Sequence, residues 1–393
     1  MQFNGTIFRC TVDILSLLQN LHLKNSPSFS RTNLDFSSTL NGRVAAYFKS
    51  RNIARTGNAE MFVKTFAMLL LYFVPYGLIL SGVATGPVFL LVMVVLMSLG
   101  LGGIGLSVMH DANHGAYSKR PWLNTLVGYS INLVGANAFN WKMQHNVLHH
   151  TYTNVDGEDE DIISRGVLRL TPHTKWKFLY KVQHIYAWFL YGLMTLSWMF
   201  AKDFARIIKY QRNGLARKQK ASIVKEWIIL IGSKLLYVGY IFVIPVIFTS
   251  LPWWQILIGI FIMHYIAGFM LSIIFQPAHI NEDAQFPLPD NANTLANNWA
   301  IHQLLTTTNF GNNYSWFSWY IGGLNYQIEH HLFPNVCHVH YRRIASIVKS
   351  TAHEFDLPYH SSKTFFGALK GHFRLLKRLG VKPDWHVPHQ LEA

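Results

Sequence analysis

Four long runs of apolar residues dominate the chain. They cover residues 65–83, 87–108, 227–250 and 252–275. Each is long enough to cross a hydrocarbon core of roughly 30 Å. The runs come in two pairs, and each pair is joined by a short turn that contains no Lys or Arg. The pattern therefore predicts an all-α integral membrane protein whose four transmembrane helices form two hairpins.

Two amphipathic helices are predicted outside these runs. The first has apolar residues at every fourth position, as in a helix lying on a bilayer: Phe36, Leu40, Val44 and Phe48. The second carries one apolar stripe with basic residues on its other faces: Phe365, Leu369, Phe373 and Leu376, with Lys370, Arg374, Lys377 and Arg378. Such a helix binds the membrane surface or covers the protein's own cytosolic face. We divide the chain into an N-terminal cytosolic or interfacial segment (1–60), a membrane domain (61–334) and a basic C-terminal cytosolic segment (335–393).

Composition supports a membrane protein. Charged residues make up 13% of the chain, about half the share in a soluble domain. The net charge of +15 could suggest nucleic acid, but no nucleic-acid-binding motif is present, and we expect no such partner. Lys and Arg avoid both hairpin turns, so the positive-inside rule places the termini and the histidine-rich segments in the cytosol. With only Cys10 and Cys337, no disulfide framework is expected.

Three segments concentrate histidine. The first contains His110 and His114, and the second contains His145, His149 and His150. In the third, Gln327 precedes His330 and His331 by three and four residues, so one helical face can carry all three side chains. Neutral imidazole is the commonest metal ligand among side chains. The three segments therefore predict a metal site. It would be carried by a cytosolic helical cap on the four helices.

Three histidine boxes in this order resemble those of the membrane fatty acyl desaturases, from about residue 41 to residue 334. Gln327 in place of a histidine is similar to the front-end branch, which acts on the carboxyl side of an existing double bond. The resemblance implies a non-haem centre of two iron ions that uses O2 and two electrons to insert a cis double bond into an acyl-CoA or acyl-lipid. No haem-binding His-Pro-Gly-Gly motif of a cytochrome b5 domain occurs. The electrons would therefore come from a separate donor of the ferredoxin or cytochrome b5 type.

A further ligand is expected after the fourth apolar run. His279 follows that run by four residues, at a place that resembles the extra histidine of desaturases, whereas His302 competes from further along the chain. With His279, eight imidazoles are available, too many for one tetrahedral zinc and suited to two metal ions. Gln327 would bind metal directly, through water, or not at all. Residues 185–201 must then form an interfacial helix, because a crossing there would separate the boxes.

Several polar residues could support the site. Asp159 or Asp161 would hold a ligating imidazole through a hydrogen bond, or belong to a solvated acidic loop. Asp111 and Glu329 lie inside the boxes and could act similarly. Arg165 could bind an anionic headgroup such as the phosphates of coenzyme A. Three other histidines are not expected to bind metal: His264 would form hydrogen bonds between helices or line a substrate tunnel, and His338 and His340 would lie on the surface.

Two alternative functions fit the same residues. A hydroxylase on the same scaffold would insert oxygen and leave an alcohol. A histidine-rich membrane metal transporter or sensor would use the imidazoles without catalysis, although transporters usually carry their polar residues within the membrane. The predicted partners of the desaturase are membrane lipid, a fatty acyl substrate and the electron-transfer protein.

Overall fold

Four helices of this chain are long and apolar enough to cross a membrane. The computed structural model describes residues 26–83, 85–163 and 166–382, and within them these helices are span 1 (Ala59–Leu80), span 2 (Pro87–Asn113), span 3 (Ile223–Phe248) and span 4 (Trp253–His279). Spans 1 and 2 pack side by side, and span 2 also packs along span 4. The predicted all-α architecture with four membrane helices is confirmed.

The spans differ from the predicted runs mainly at the ends that carry polar residues. Span 1 begins at Ala59, because the Asn58 side chain caps the helix by accepting from the backbone N–H of Glu60. Spans 2 and 4 continue to Asn113 and His279. The outward faces of spans 1 and 3 expose large apolar side chains, as lipid contact requires: Phe66, Leu70, Phe73, Ile228, Ile231 and Leu235.

The predicted interfacial helix is a broken one. It consists of Gln183–Gly192, Met194–Ser197, the π-helical turn Trp198–Lys202 and Asp203–Arg212. It crosses span 4 closely. The closeness is seen at Gly268, where an added Cβ atom would lie 2.7 Å from the carbonyl oxygen of Gly192. It is not one of the four long apolar helices, and its place at the membrane interface stays a prediction.

The remaining helices and strands form a cap at one end of the spans. The helices before span 3 are Leu34–Ser50, Pro121–Gly128, Ser130–Leu133, Ala138–Lys142, His150–Tyr152, Phe178–Val182 and Leu215–Lys218, and those after span 4 are Trp299–Thr306, Ser315–Tyr320, Gln327–Leu332, His338–His340, Tyr341–Glu354 and Phe365–Leu379. Two short parallel strand pairs join distant segments: Ser28–Phe29 with Thr294–Leu295, and Asn309–Phe310 with Ser361–Ser362.

Both amphipathic helices form, but their apolar faces meet protein. The buried stripe of Leu34–Ser50 is the predicted one, and it packs against Tyr341–Glu354 instead of lying on lipid. The C-terminal helix Phe365–Leu379 covers span 4 and Gln183–Gly192. Its buried face is rotated from the predicted stripe and comprises Ala368, His372, Leu375, Leu376 and Leu379. The cap therefore shields the ends of the spans where the histidines lie.

Candidate metal centre

The first two histidine boxes are positioned by irregular helix. A π-helical turn, Ile104–Val108, precedes His110 in span 2, and His114 ends that helix. The second box lies in a longer π-helical stretch, Met143–His149. Such turns rotate the side chains that follow them and are frequent at functional sites.

The third box reaches the others through a close backbone approach. It lies on the short helix Gln327–Leu332, all six residues of which are buried. Before it, Gly322 and Gly323 have φ angles of 67° and 64°. A Cβ atom on Gly322 would lie 2.5 Å from the carbonyl oxygen of Leu106 in span 2. Glycine therefore lets the loop touch span 2 and carry the third box beside the first.

The predicted histidines converge in two overlapping groups. Ligand atoms within each set lie within 4.8 Å of one another: His110, His114, His145 and His330 form one set; His149, His279 and His331 form another; and His150 with His330 and His331 joins the two. The Nε2 atoms of His150 and His330 are 2.9 Å apart, and those of His110 and His145 are 3.2 Å apart. Eight imidazoles from four separate segments thus share one buried space.

The nitrogens in this space fit metal ions. The Nε2 atoms of His114, His279 and His331 are buried and have no hydrogen-bond partner among the described residues. Burial and the neighbouring imidazoles hold the pKa values of the innermost rings well below the ordinary histidine value: His145, His150, His330 and His331. Neutral rings with unused nitrogens are the form in which histidine binds metal. The donor set therefore fits two ions bound by nitrogen.

Outer hydrogen bonds at Nδ1 turn several rings so that Nε2 faces inward. The Nδ1 atom of His279 donates to the carbonyl oxygen of Thr306 at 3.2 Å. His331 Nδ1 lies 2.8 Å from Gln303 Oε1, and His330 Nδ1 lies 3.1 Å from the Tyr341 hydroxyl. Gln303 and Tyr341 carry no sequence signal that would have identified them, because they come from helices outside the boxes.

The acidic loop after the second box supplies a similar partner. His149 Nδ1 donates to Asp159 at 3.0 Å, and Asp159 also accepts from the backbone N–H groups of Asn154 and Asp161. Burial lowers the pKa of His149, but the carboxylates of Asp159 and Asp161 outweigh it and leave that pKa raised. Asp161 lies 3.5 Å from His149 Nδ1 and accepts from Gln144. Of the two candidates, Asp159 makes the hydrogen bond to the ring.

Glu329 and Asp111 do not accept the predicted hydrogen bonds from ligating imidazoles and instead accept from other side chains. Glu329 accepts from the Asn309 amide at 2.8 Å and from the Tyr359 hydroxyl at 2.9 Å. Burial raises the pKa of Glu329 to about 7. Asp111 lies 3.8 Å from His110 Nδ1 and instead accepts from His338 Nδ1 at 2.9 Å. The adjacent residues His330 and His110 belong to the centre, whereas the side chains of Glu329 and Asp111 bind partners outside it.

The expectation that His338 and His340 lie on the surface is wrong. Both are buried. His338 accepts from Lys64 Nζ at 2.6 Å, so a chain of three ionisable groups runs from span 1 through His338 to Asp111. His340 donates to the carbonyl oxygen of Thr56 at 3.2 Å. No local pattern predicts this burial, because the partners of His338 are 274 and 227 residues away.

The other candidates fall at different places. His302 donates to the Thr153 carbonyl oxygen at 2.9 Å and belongs to none of the histidine sets in the described chain. Gln327 is buried beside His279, and its Nε2 has no partner among the described residues. Arg165 lies outside the residues that the structure describes. His264 does link helices, through the Tyr237 hydroxyl at 2.6 Å.

Two cavities adjoin the histidines. The first, of about 140 Å³, is lined by His145, His149 and His279 together with polar and aromatic side chains. The second, of about 20 Å³, is almost entirely apolar and lies between spans 2 and 4. Trp141, Trp198 and Phe275 line both. The histidines line the first cavity only, and these three side chains separate it from the smaller apolar one.

Comparison with known proteins decides the family. The family model "Fatty acid desaturase" matches residues 85–363, a range that contains all three boxes and His279. The chain belongs to the fatty acid desaturase family. It is an oxidoreductase that acts on fatty acyl chains, as the boxes predicted.

Desaturases from several organisms resemble the chain over most of its length. The sn-1 linoleoyl-lipid 6-desaturase of Synechocystis is 35% identical, covering 88% of this chain and 95% of the relative. The acyl-lipid (8-3)-desaturase of Physcomitrium patens is 37% identical, covering 89% of this chain and 72% of the relative. The Delta(5) fatty acid desaturase A of Dictyostelium discoideum is 30% identical, covering 94% and 81%.

Proposed function

We propose that this desaturase is a front-end acyl-lipid desaturase with a centre of two iron ions. The observation that carries the proposal is the meeting of eight imidazoles, seven of them buried, beside a cavity that an apolar one adjoins. The relatives named as 6-, (8-3)- and Delta(5)-desaturases support the front-end class, as does Gln327 in the third box.

The eight histidines would hold the iron in two positions. His110, His114, His145 and His330 would serve one ion, His149, His279 and His331 the other, and His150 lies where it could serve either. Gln327, beside His279, is a polar side chain that would supplement the smaller set. Bound iron would supply, with O2 and two electrons, the oxidising power to break an unactivated C–H bond, which no side chain provides.

The chain's own residues would hold the substrate and exclude water. Trp141, Trp198 and Phe275 separate the polar cavity from the apolar one, so an acyl chain passing them would leave water behind. Burying each methylene contributes about 0.8 kcal/mol. The absence of basic residues from the hairpin turns supports a centre on the cytosolic side, where a separate electron donor would meet it.

The experiment is expression in a host without polyunsaturated lipids, fed defined fatty acids, with double bonds located by mass spectrometry. We expect a new double bond on the carboxyl side of an existing one. His149→Ala and His330→Ala should abolish it, whereas the exposed His353→Ala control should not. Products 16 mass units heavier without a new double bond would indicate a hydroxylase, and retained activity in both alanine variants would refute the proposed centre. Metal uptake that both variants leave unchanged would dismiss the transporter alternative.

A further inference from the structure

The cavity beside the histidines contains two hydrogen-bond donors that have no acceptor. The Nε1 atom of Trp198 is buried without a partner. Lys202, which is half-buried, makes no hydrogen bond or ion pair with any residue that the structure describes. Both side chains line the cavity of about 140 Å³ together with His145, His149 and His279.

One helical turn places the two donors together. Trp198 and Lys202 begin and end the π-helical turn of the broken helix, and Lys202 Nζ lies 5.7 Å from the centre of the Trp198 ring. Side chains four residues apart on a helix are neighbours. The ammonium group therefore lies over the indole ring, and both donors border the same cavity.

Among the described residues no carboxylate forms an ion pair with Lys202, although the charges of Asp161, Asp203 and Glu160 act on it. The three nearest acidic side chains already have partners: Asp203 pairs with Lys234, Glu160 with Arg206 and Lys209, and Asp161 accepts from Gln144. Burial, together with the repulsion of Arg206, lowers the pKa of Lys202 to about 7. An ammonium group held at this cost is stabilised when an acceptor enters the cavity.

The other end of the space has the opposite character. Beyond Trp198 and Phe275 the lining is Leu101, Gly105, Met109, Ile131, Val134, Ala136 and Leu271, together with Thr195, whose hydroxyl already donates to the His264 carbonyl oxygen. A ligand that matches both ends has an acceptor at the two donors and a hydrocarbon tail against these apolar side chains, which must move apart around it because the space there is about 20 Å³. An acyl ester has this form.

We propose that Trp198 Nε1 and Lys202 Nζ bind the carbonyl oxygen of the acyl ester and thereby fix which carbon pair lies beside the imidazoles. The inference rests on the proposed acyl-lipid substrate. Because donors and histidines share one small cavity, only a short stretch of acyl chain fits between carbonyl and centre. Desaturation near the carboxyl end follows from this spacing.

The first test measures binding and needs no turnover. The probes are 1-linoleoylglycerol and its ether analogue, which differ in the carbonyl group, titrated into the purified protein in detergent. We expect the wild type to bind the ester about ten-fold more tightly, since one hydrogen bond to a charged group contributes that much. Lys202→Met and Trp198→Phe should lose this preference and keep their affinity for the ether.

Two binding results would overturn the proposal. One is a wild type that does not distinguish ester from ether; the other is a Lys202→Met variant that loses affinity for both probes equally, as a structural role predicts. These results do not depend on whether the protein desaturates either probe, so they separate this inference from the proposed function.

The second test locates the product double bond. Lys202→Met should spread desaturation over neighbouring positions and raise KM more than it lowers kcat, whereas Lys202→Arg, which keeps the cation, should restore the single position. A Lys202→Met variant with an unchanged product position and unchanged KM would contradict the assignment.

Discussion

Replacing Asp159 by Asn tests whether an outer hydrogen bond holds a ring of the centre. The side chain is fully buried, and its two oxygens accept from His149 Nδ1 at 3.0 and 3.2 Å and from the backbone N–H groups of Asn154 and Asp161 at 2.9 Å each. An amide has one acceptor oxygen, so in either orientation its NH2 group faces a backbone N–H. One donor must lose its acceptor.

The magnitude follows from these contacts. One buried donor left without an acceptor costs about 1–3 kcal/mol of folding stability. Loss of the carboxylate that orients a ligating histidine typically lowers metal affinity or activity about 10–100-fold. We therefore expect Asp159→Asn to fold, with a lowered melting temperature and iron that a chelator removes at about 10–100-fold lower concentration.

Asp161→Asn is the matched control, because it makes the same change two residues away. Asp161 lies 3.5 Å from His149 Nδ1, and its side chain is 31% exposed. The chelator concentration that removes iron from Asp161→Asn should stay within about twofold of the wild-type value, because a substitution that removes no critical contact usually has only a small effect. The assay is iron per polypeptide after dialysis against graded chelator. Equal iron loss in the two variants would refute the reasoning.

Three further predictions follow from other parts of the molecule. Lys64→Met should lower the folding stability by about 3–5 kcal/mol, because it leaves the buried Asp111–His338 pair without its cation. An unchanged melting temperature in detergent would contradict this. Gly268→Ala should lower the folding stability by about 1–3 kcal/mol, because the new methyl group pushes two helices apart. Gly259→Ala, whose Cβ atom would lie 3.5 Å from Val94, should be neutral in the same assay. Chelation should abolish product formation, and Fe(II) but not Zn(II) should restore it; restoration by Zn(II) would exclude iron chemistry.

The parts of the fold that could be predicted are those that depend on local pattern. The four spans follow from long apolar runs, of which only the third contains a charged residue, Lys234, and the spacing of His145, His149 and His150 requires no knowledge of the rest of the chain. The parts that could not be predicted depend on distant partners. The direction of Glu329 is set by Asn309 and Tyr359, twenty and thirty residues away.

Local irregularities within helices are the second feature that could not be predicted from the sequence. The apolar stretch 185–201 suggests one continuous helix, yet the chain breaks after Gly192 and forms a π-helical turn at Trp198–Lys202. That turn is what brings two donors to the cavity. Nothing in the composition of the stretch marks the turn, and the break lies where Gly192 crosses Gly268, 76 residues further along the chain.

The central claim is that remote histidines hold two iron ions. Anomalous scattering measured at the iron edge on crystals of the active protein tests it most directly. The account predicts two peaks, one among His110, His114, His145 and His330 and one among His149, His279 and His331. A single peak, or metal only at the neighbouring Asp111, Cys337 and His338, would contradict it.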